Sequence, residues 1–335
     1  METLIEPGLG LIRFLQTLGP AAAPLMHLFS FLGSIGFYLA LIPFIYWTLD
    51  RGIALRVLLA LMLTDCAGTT AKLLLHEPRP YWLSATGLGD ASAIRAMATE
   101  PSYGAPSGHA SSSFAVWTYL AWRLRRRWIW TTAIALITLI ALSRLYLGVH
   151  FPHDILLGWL LGACMLYAFV VAEKPVSAWA ARQGTSTLIG IGAALAAGVM
   201  ALGLLTQARL ADMPDPVAWN AHAANARSVA HFFGIAGILF GLVAGRALAR
   251  SRFEFETHAT WSRRIARYAF GVIGLLIVYF GLGLVFAQLA DRESIAGLLL
   301  RSLRFAAVSL WVTLFAPALF IRFGLANKLG RRSPS

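Results

Sequence analysis

Three short stretches of this sequence hold residue types that could do chemistry together. They are Lys72-Leu-Leu-Leu-His-Glu-Pro-Arg79-Pro80, Pro106-Ser107-Gly108-His109, and Ser143-Arg144-Leu-Tyr-Leu-Gly-Val-His150-Phe-Pro-His-Asp154. Lys72, Arg79 and Arg144 are cations able to hold phosphate oxygens, arginine as a bidentate fork and lysine as a point charge. Pro-Ser-Gly opening a helix offers first-turn amides that have no helical partner and suit an anion. Of His109 and His150, one can act as a nucleophile and the other as a general acid. A carboxylate four residues from a histidine can orient its ring. The set is a kit for gripping a phosphate and attacking it.

These residues sit in an apolar chain. Of 335 residues, 58% are hydrophobic and 13% charged, and mean hydropathy is +0.69. That leaves too little polar surface for a soluble protein of this length. Runs of about twenty apolar residues therefore read as membrane spans. About nine can be drawn, roughly at 25–48, 54–75, 107–122, 129–147, 155–172, 187–206, 231–248, 269–290 and 303–323. The expected fold is an all-α polytopic bundle. Glu2 and Glu6 stand where a signal peptide would be basic, so the first span is expected to serve as the insertion signal. Residues 1–19 read either as an amphipathic helix on the membrane surface or as a loosely ordered tail.

A net charge of +13 would suggest nucleic acid in a soluble protein. Here the arginines crowd into alternate short loops, as the positive-inside pattern requires, and no nucleic-acid partner is implied. Arg51, Arg56, Arg123, Arg125–Arg127, Arg250, Arg252, Arg263, Arg264, Arg267, Arg331 and Arg332 fall on the richer side. That side is expected to be cytoplasmic, with the N-terminus outside, the C-terminus inside and all three stretches on the outer face. Cys66 and Cys164 lie in apolar runs and read as small core residues, not as a disulfide or metal pair.

The three stretches resemble the signature motifs of the type 2 phosphatidic acid phosphatase superfamily: Lys-x6-Arg-Pro, Pro-Ser-Gly-His and Ser-Arg-x5-His-x3-Asp. Every fixed position is present and in order. The resemblance covers roughly the first half of the chain, to about Val171. It implies a membrane lipid phosphatase in which His150 attacks phosphorus and becomes a phosphohistidine, His109 protonates the leaving oxygen, and Asp154 holds the His150 ring. Lys72, Arg79, Ser107, Gly108 and Arg144 would bind the phosphate. No divalent metal or other cofactor is implied, because the three cations take the role that magnesium plays in many phosphoryl-transfer enzymes. The substrate would be a lipid phosphate or diphosphate, such as undecaprenyl diphosphate or phosphatidic acid, met at the outer face of a bacterial inner membrane. A phosphotransferase using the same intermediate is the alternative enzyme. A lipid transporter is the alternative outside enzymes, and the intact histidines and Asp154 argue against it.

Other features are expected to support this site. Asp65 lies seven residues before Lys72, on nearly the same helix face, and reads either as support for the site or as a polar packing contact. The long loop 76–105 reads as a cap. Residues 1–173 would form the catalytic membrane domain and 174–335 an accessory membrane domain of about four spans. There, Gly190, Ala194 and Gly198, and then Gly237, Gly241 and Gly245, make small-residue ridges for packing within the chain or for a homo-oligomer. His222 and His231, near Asp212, Asp215 and Trp219, match no metal-ligand spacing.

Overall fold

A computed structural model describes residues 2–85, 94–219, 223, 225–250 and 253–329. Its described regular elements are helical: α1 (Glu2–Gln16), α2 (Ala23–Leu32), α3 (Ile35–Thr48), α4 (Arg51–Leu75), α5 (Gly108–Leu124), α6 (Arg127–Tyr146), α7 (Pro152–Ala181), α8 (Thr185–Leu210), α9 (Ala230–Ala249), α10 (Trp261–Leu289), α11 (Ile295–Leu310) and α12 (Ala316–Arg322), the last two joined by a π turn. In a bilayer every backbone polar group must be satisfied within the protein, and helices do this segment by segment.

Among the described residues, seven helical segments are long and apolar enough to cross a membrane. α2 and α3 meet at a 54° bend and pass only as a pair, which makes eight. The sequence-expected span at 107–122 is α5, a helix of 17 residues. Most of it is buried by protein, including Ser111, Ser112 and Ser113. The Ser111 and Ser113 hydroxyls donate back to the carbonyls of Gly108 and Ala110, each at 3.1 Å. A helix shielded in this way can carry serines that a lipid-facing helix would not, which is why its hydropathy is low.

The chain packs as two compact units. One gathers Met1–Tyr38, Ala60–Val171 and Leu204–Ser228; the other gathers Leu39–Leu59, Ala172–Gly203 and Val229–Ser335. Packing thus divides the chain differently from its order in sequence.

In the first unit, α1 is a helix with two apolar sides. Leu9 and Ile12 join Leu83, Ile94 and Phe151 in a buried cluster, while Leu11, Phe14 and Leu18 are exposed. Gln16 fastens its end, donating from Nε2 to the carbonyls of Arg95 and Tyr146 at 2.9 Å each and accepting from the Arg95 amide at 3.1 Å. In the second unit, Gly237, Gly241 and Gly245 bring α9 against α11 and the π turn. A Cβ at these positions would strike the Ser302 carbonyl, the Ala306 carbonyl and the Thr313 hydroxyl. That ridge is used within the chain. Gly190 and Gly198 on α8 have nothing within 4 Å of such a Cβ. Arg267 is buried and donates to the carbonyls of Trp47, Glu256 and Thr257 at 3.0–3.2 Å. Both cysteines are free, and Cys164 is exposed rather than in the core, on a helix face that the described packing does not cover.

Candidate active site

All the sequence-predicted catalytic and phosphate-binding residues fall in the first unit. α4 delivers Lys72 in its last turn. The chain then leaves the helix at His76, whose φ of +53° is left-handed, and Pro78 and Pro80 prevent the helix from resuming. Arg79 therefore comes from the first residues of the loop. It is buried, and its guanidinium is used on every side. Nε donates to the Ser102 carbonyl at 2.6 Å, and Nη2 to the Ser102 hydroxyl at 2.9 Å and the Tyr103 carbonyl at 3.1 Å. Nη1 donates to the Val149 carbonyl at 2.9 Å and lies 3.2 Å from His150 Nε2. Lys72 Nζ donates to the carbonyls of Tyr103 and Gly104 at 2.8 and 3.0 Å.

The His150–Asp154 pair straddles the start of α7. Pro152 suits a helical first position, and Asp154 in the first turn complements the positive end of the helix dipole. Asp154 Oδ2 accepts from the Phe151 amide at 2.9 Å and lies 3.1 Å from His150 Nδ1. A guanidinium can only donate, so its approach to Nε2 requires an unprotonated nitrogen there. The proton then sits on Nδ1, facing the carboxylate. Burial, then the charges of Arg79, Lys72 and Arg144, then His109, push the His150 pKa well below its ordinary value. His150 is thus a neutral imidazole whose Nε2 lone pair points at a cation.

Ser107 caps α5. Its backbone is extended and its hydroxyl accepts from the Ala110 amide at 3.5 Å, while its own N–H donates to the Asp154 carbonyl at 2.9 Å. That amide ties the starts of α5 and α7 together and is not offered to a ligand. Two glycines on α7 set the spacing. A Cβ at Gly158 would lie 2.7 Å from the Ser107 carbonyl, and one at Gly162 would lie 2.7 Å from the Ser111 carbonyl. Close backbone approach of this kind is how small residues pack membrane helices. His109 lies one step into α5, against the α2–α3 bend. A Cβ at Gly33 would meet its Cδ2 at 3.3 Å.

Arg144, near the end of α6, is buried and donates to the Ser30 hydroxyl and the Glu100 carboxylate. Three cations therefore face two carboxylates, Glu100 and Asp154, and the excess is positive. Glu100, Ser102, Tyr103 and Ser30 carry no motif and were not singled out by sequence reasoning. They contact the motif residues through backbone carbonyls or across long separations, which no local pattern signals. In the loop 76–105 expected to form a cap, 94–105 holds Glu100, Ser102 and Tyr103, and 86–93 lies outside the described residues. Gly108 is half-buried, with Lys72 Cε at 3.9 Å from the place of its Cβ. Asp65 is half-buried on α4. His153 stacks on Phe151, centroids 5.2 Å apart. His222 lies outside the described residues, and His231 is half-buried at the start of α9.

Fold and site define a polytopic membrane protein with a histidine held between a carboxylate and a cation cluster. Residues 53–176 match the PAP2 superfamily, and residues 233–328 match the PAP2 superfamily phosphatase transmembrane extension. The chain belongs to the PAP2 superfamily. It is 32% identical over 149 residues to mouse sphingosine-1-phosphate phosphatase 2, covering 42% of this chain and 40% of that protein. It is 31% identical over 127 residues to the undecaprenyl-diphosphatase of Sulfolobus acidocaldarius, covering 37% of this chain and 57% of that protein. The alignments thus span about half the length of these curated relatives. The crystal structure of Aquifex aeolicus LpxE superposes with a TM-score of 0.42 at 25% identity, over 49% of this chain and 94% of that one.

Proposed function

We propose that this protein is an integral membrane lipid phosphatase that hydrolyses a phosphate or diphosphate on a lipid through a phosphohistidine. One observation carries the reading: His150 lies between Asp154, 3.1 Å from its Nδ1, and Arg79, 3.2 Å from its Nε2, an arrangement that favours the proton on Nδ1 and the lone pair on Nε2. A phosphoryl group entering between Arg79 and Lys72 takes the place of the Arg79 Nη1–His150 Nε2 contact, so that the freed N–H turns to a phosphate oxygen and the lone pair faces phosphorus. The N–P bond forms as the P–O bond to the lipid breaks, and the leaving oxygen takes a proton from His109. The ring's developing positive charge is met by Asp154. Water then attacks phosphorus, His109 takes its proton, the N–P bond breaks and inorganic phosphate leaves. Arg79, Lys72 and Arg144 offset the charge of each five-coordinate transition state. The Ser107 hydroxyl, which accepts from Ala110, still has its own proton to donate to a phosphate oxygen, and Gly108 leaves room for the phosphate to approach.

In this reading residues 1–173 carry the chemistry and 174–335 support it. Asp65 supports the Lys72 end of α4. The N-terminus is outside, the C-terminus inside, and the site faces the periplasm from a bacterial inner membrane. The arginine distribution supports that orientation. The names of the relatives support a phosphate on a long-chain lipid alcohol, with undecaprenyl diphosphate as the outer-leaflet candidate. A homo-oligomer, if formed, would use the open α8 ridge at Gly190 and Gly198. The test is phosphate release by purified protein from a panel of lipid phosphates and diphosphates. Wild type should release inorganic phosphate without an acceptor lipid, and His150→Ala should not. Phosphate release by a folded His150→Ala variant at near wild-type rate would refute the mechanism.

A further inference from the structure

Leu204–Ser228, the end of α8 and the residues after it, is far in sequence from the three motifs yet packs in the unit that holds them. One of its two carboxylates, Asp215, is engaged on both oxygens. Oδ1 accepts from the Tyr103 hydroxyl at 2.8 Å and lies 2.6 Å from His76 Nε2. Oδ2 accepts from Arg227 Nε, and Arg227 is fixed in turn by the carbonyls of Leu210, at 2.8 Å, and Met213. Burial raises the Asp215 pKa, but hydrogen bonds from Arg227, Tyr103 and His76 outweigh it and hold the carboxyl below its ordinary range. A ring cluster surrounds the contact. His76 lies 4.6 Å from Tyr103 and 5.8 Å from Trp219 between centroids, and Trp82 lies 5.8 Å from Tyr103 and 6.0 Å from Trp219.

Tyr103 is what makes this more than a surface ion pair. Its carbonyl accepts from both Lys72 Nζ and Arg79 Nη2, the two cations between which the proposed mechanism places the phosphoryl group. Its ring is held at the far end by Asp215. His76 continues the chain from Lys72, with its amide donating to the Lys72 carbonyl at 3.1 Å. One carboxylate therefore fixes the side chain whose backbone aims two cations, and also the residue that ends the lysine's helix.

We infer that Asp215 is a positioning residue for the phosphate grip, acting through Tyr103 and His76 on Lys72 and Arg79 without touching the substrate. The inference rests on the reading of Lys72 and Arg79 as phosphate ligands. A misplacement of about 1 Å far from the chemistry can cost roughly 100-fold in rate, so loss of this tether should cost about 10- to 100-fold in kcat/KM.

The experiment uses the purified full chain and measures lipid-phosphate turnover, inhibition by inorganic phosphate, and thermal unfolding. Asp215→Ala should lower kcat/KM by about 10- to 100-fold and weaken the inhibition constant of inorganic phosphate by a similar factor. Asp215→Glu should recover part of both. The inhibition constant does not depend on what fraction of molecules is folded, so a merely structural role would leave it unchanged. Tyr103→Phe removes one hydroxyl, keeps the ring and backbone, and should shift both readouts the same way, by about 3- to 10-fold on the same scale. If the inhibition constant and kcat/KM per active molecule stay within two-fold of wild type in both Asp215→Ala and Tyr103→Phe, the inference is overturned. Lys72→Ala and Arg79→Ala, run alongside, separate the two failures. If they too leave both readouts unchanged, the phosphate-grip reading itself fails; if they abolish turnover while the Asp215 and Tyr103 variants do not change it, only the tether fails.

Discussion

Asp154→Asn separates the two things a carboxylate can do for a histidine. Asp154 Oδ2 accepts from the Phe151 amide at 2.9 Å and faces His150 Nδ1 at 3.1 Å. The Phe151 N–H demands an acceptor, so an asparagine would keep its oxygen at that place and turn its nitrogen toward His153, whose Nε2 lies 3.4 Å from Oδ1. Ring orientation and tautomer are then preserved, and what is lost is one negative charge. When the ring takes up the phosphoryl group it becomes cationic about 3 Å from that charge. At an effective dielectric of about 20, the attraction is roughly 5 kcal/mol. At 1.36 kcal/mol per factor of ten, that corresponds to about 10³- to 10⁴-fold. We expect kcat for lipid-phosphate hydrolysis by Asp154→Asn to fall by that factor, with KM changing much less and the unfolding temperature nearly unchanged. Asp154→Ala should also destabilise the fold, by about 1–3 kcal/mol, because the Phe151 amide is left unpaired. An Asp154→Asn enzyme that keeps more than about a tenth of wild-type kcat would refute charge stabilisation at this ring.

The remaining expectations address spacing, charge, support and orientation. Gly158→Ala places a methyl 2.7 Å from the Ser107 carbonyl and 2.9 Å from Ala110 Cβ; relief requires about half an ångström between the starts of α5 and α7, and kcat/KM should fall about ten-fold, whereas a rate within two-fold of wild type would show that the crossing does not set the geometry. Burial, and then the nearby cations, depress the His150 pKa, and the proposed mechanism uses the neutral ring, so activity should persist as pH falls below the ordinary histidine range and be lost on passing the depressed value. Lys72→Gln removes one of those cations, so the acid limb of its residual kcat/KM should move to higher pH than in wild type, the substrate's own ionisation being common to both; a limb that stays put or moves down would contradict the assignment. Asp65→Asn should reduce turnover with little change in unfolding temperature if Asp65 supports the Lys72 end of α4, and the reverse pattern would make it a packing contact. In a background without Cys66 and Cys164, a cysteine within 84–100 should react with an impermeant thiol reagent in intact cells or spheroplasts, and one between Arg263 and Arg267 only after lysis. The opposite labelling would invert the topology.

The sequence by itself determined what depends on composition and on local spacing. Twenty-residue apolar runs read as helices in a bilayer, because a helix satisfies its whole backbone within one segment of that length. The motifs put forward candidate reactive residues because each would work through its own side chain at a fixed offset, as with His150 and Asp154 four residues apart around the start of α7. Tertiary structure decided everything that acts between distant segments. The serine-bearing α5 is a covered helix because of what surrounds it, and no hydropathy window contains that. Gly158 and Gly162 matter because of the particular backbone they meet on α5. Glu100 faces Arg144, and Asp215 reaches Tyr103 and His76 across 112 and 139 residues. Such contacts join groups whose types are ordinary on their own: a loop carboxylate, a tyrosine, a helix-ending histidine. Their value arises only when folding puts them within hydrogen-bonding distance, and chain order carries no record of that distance.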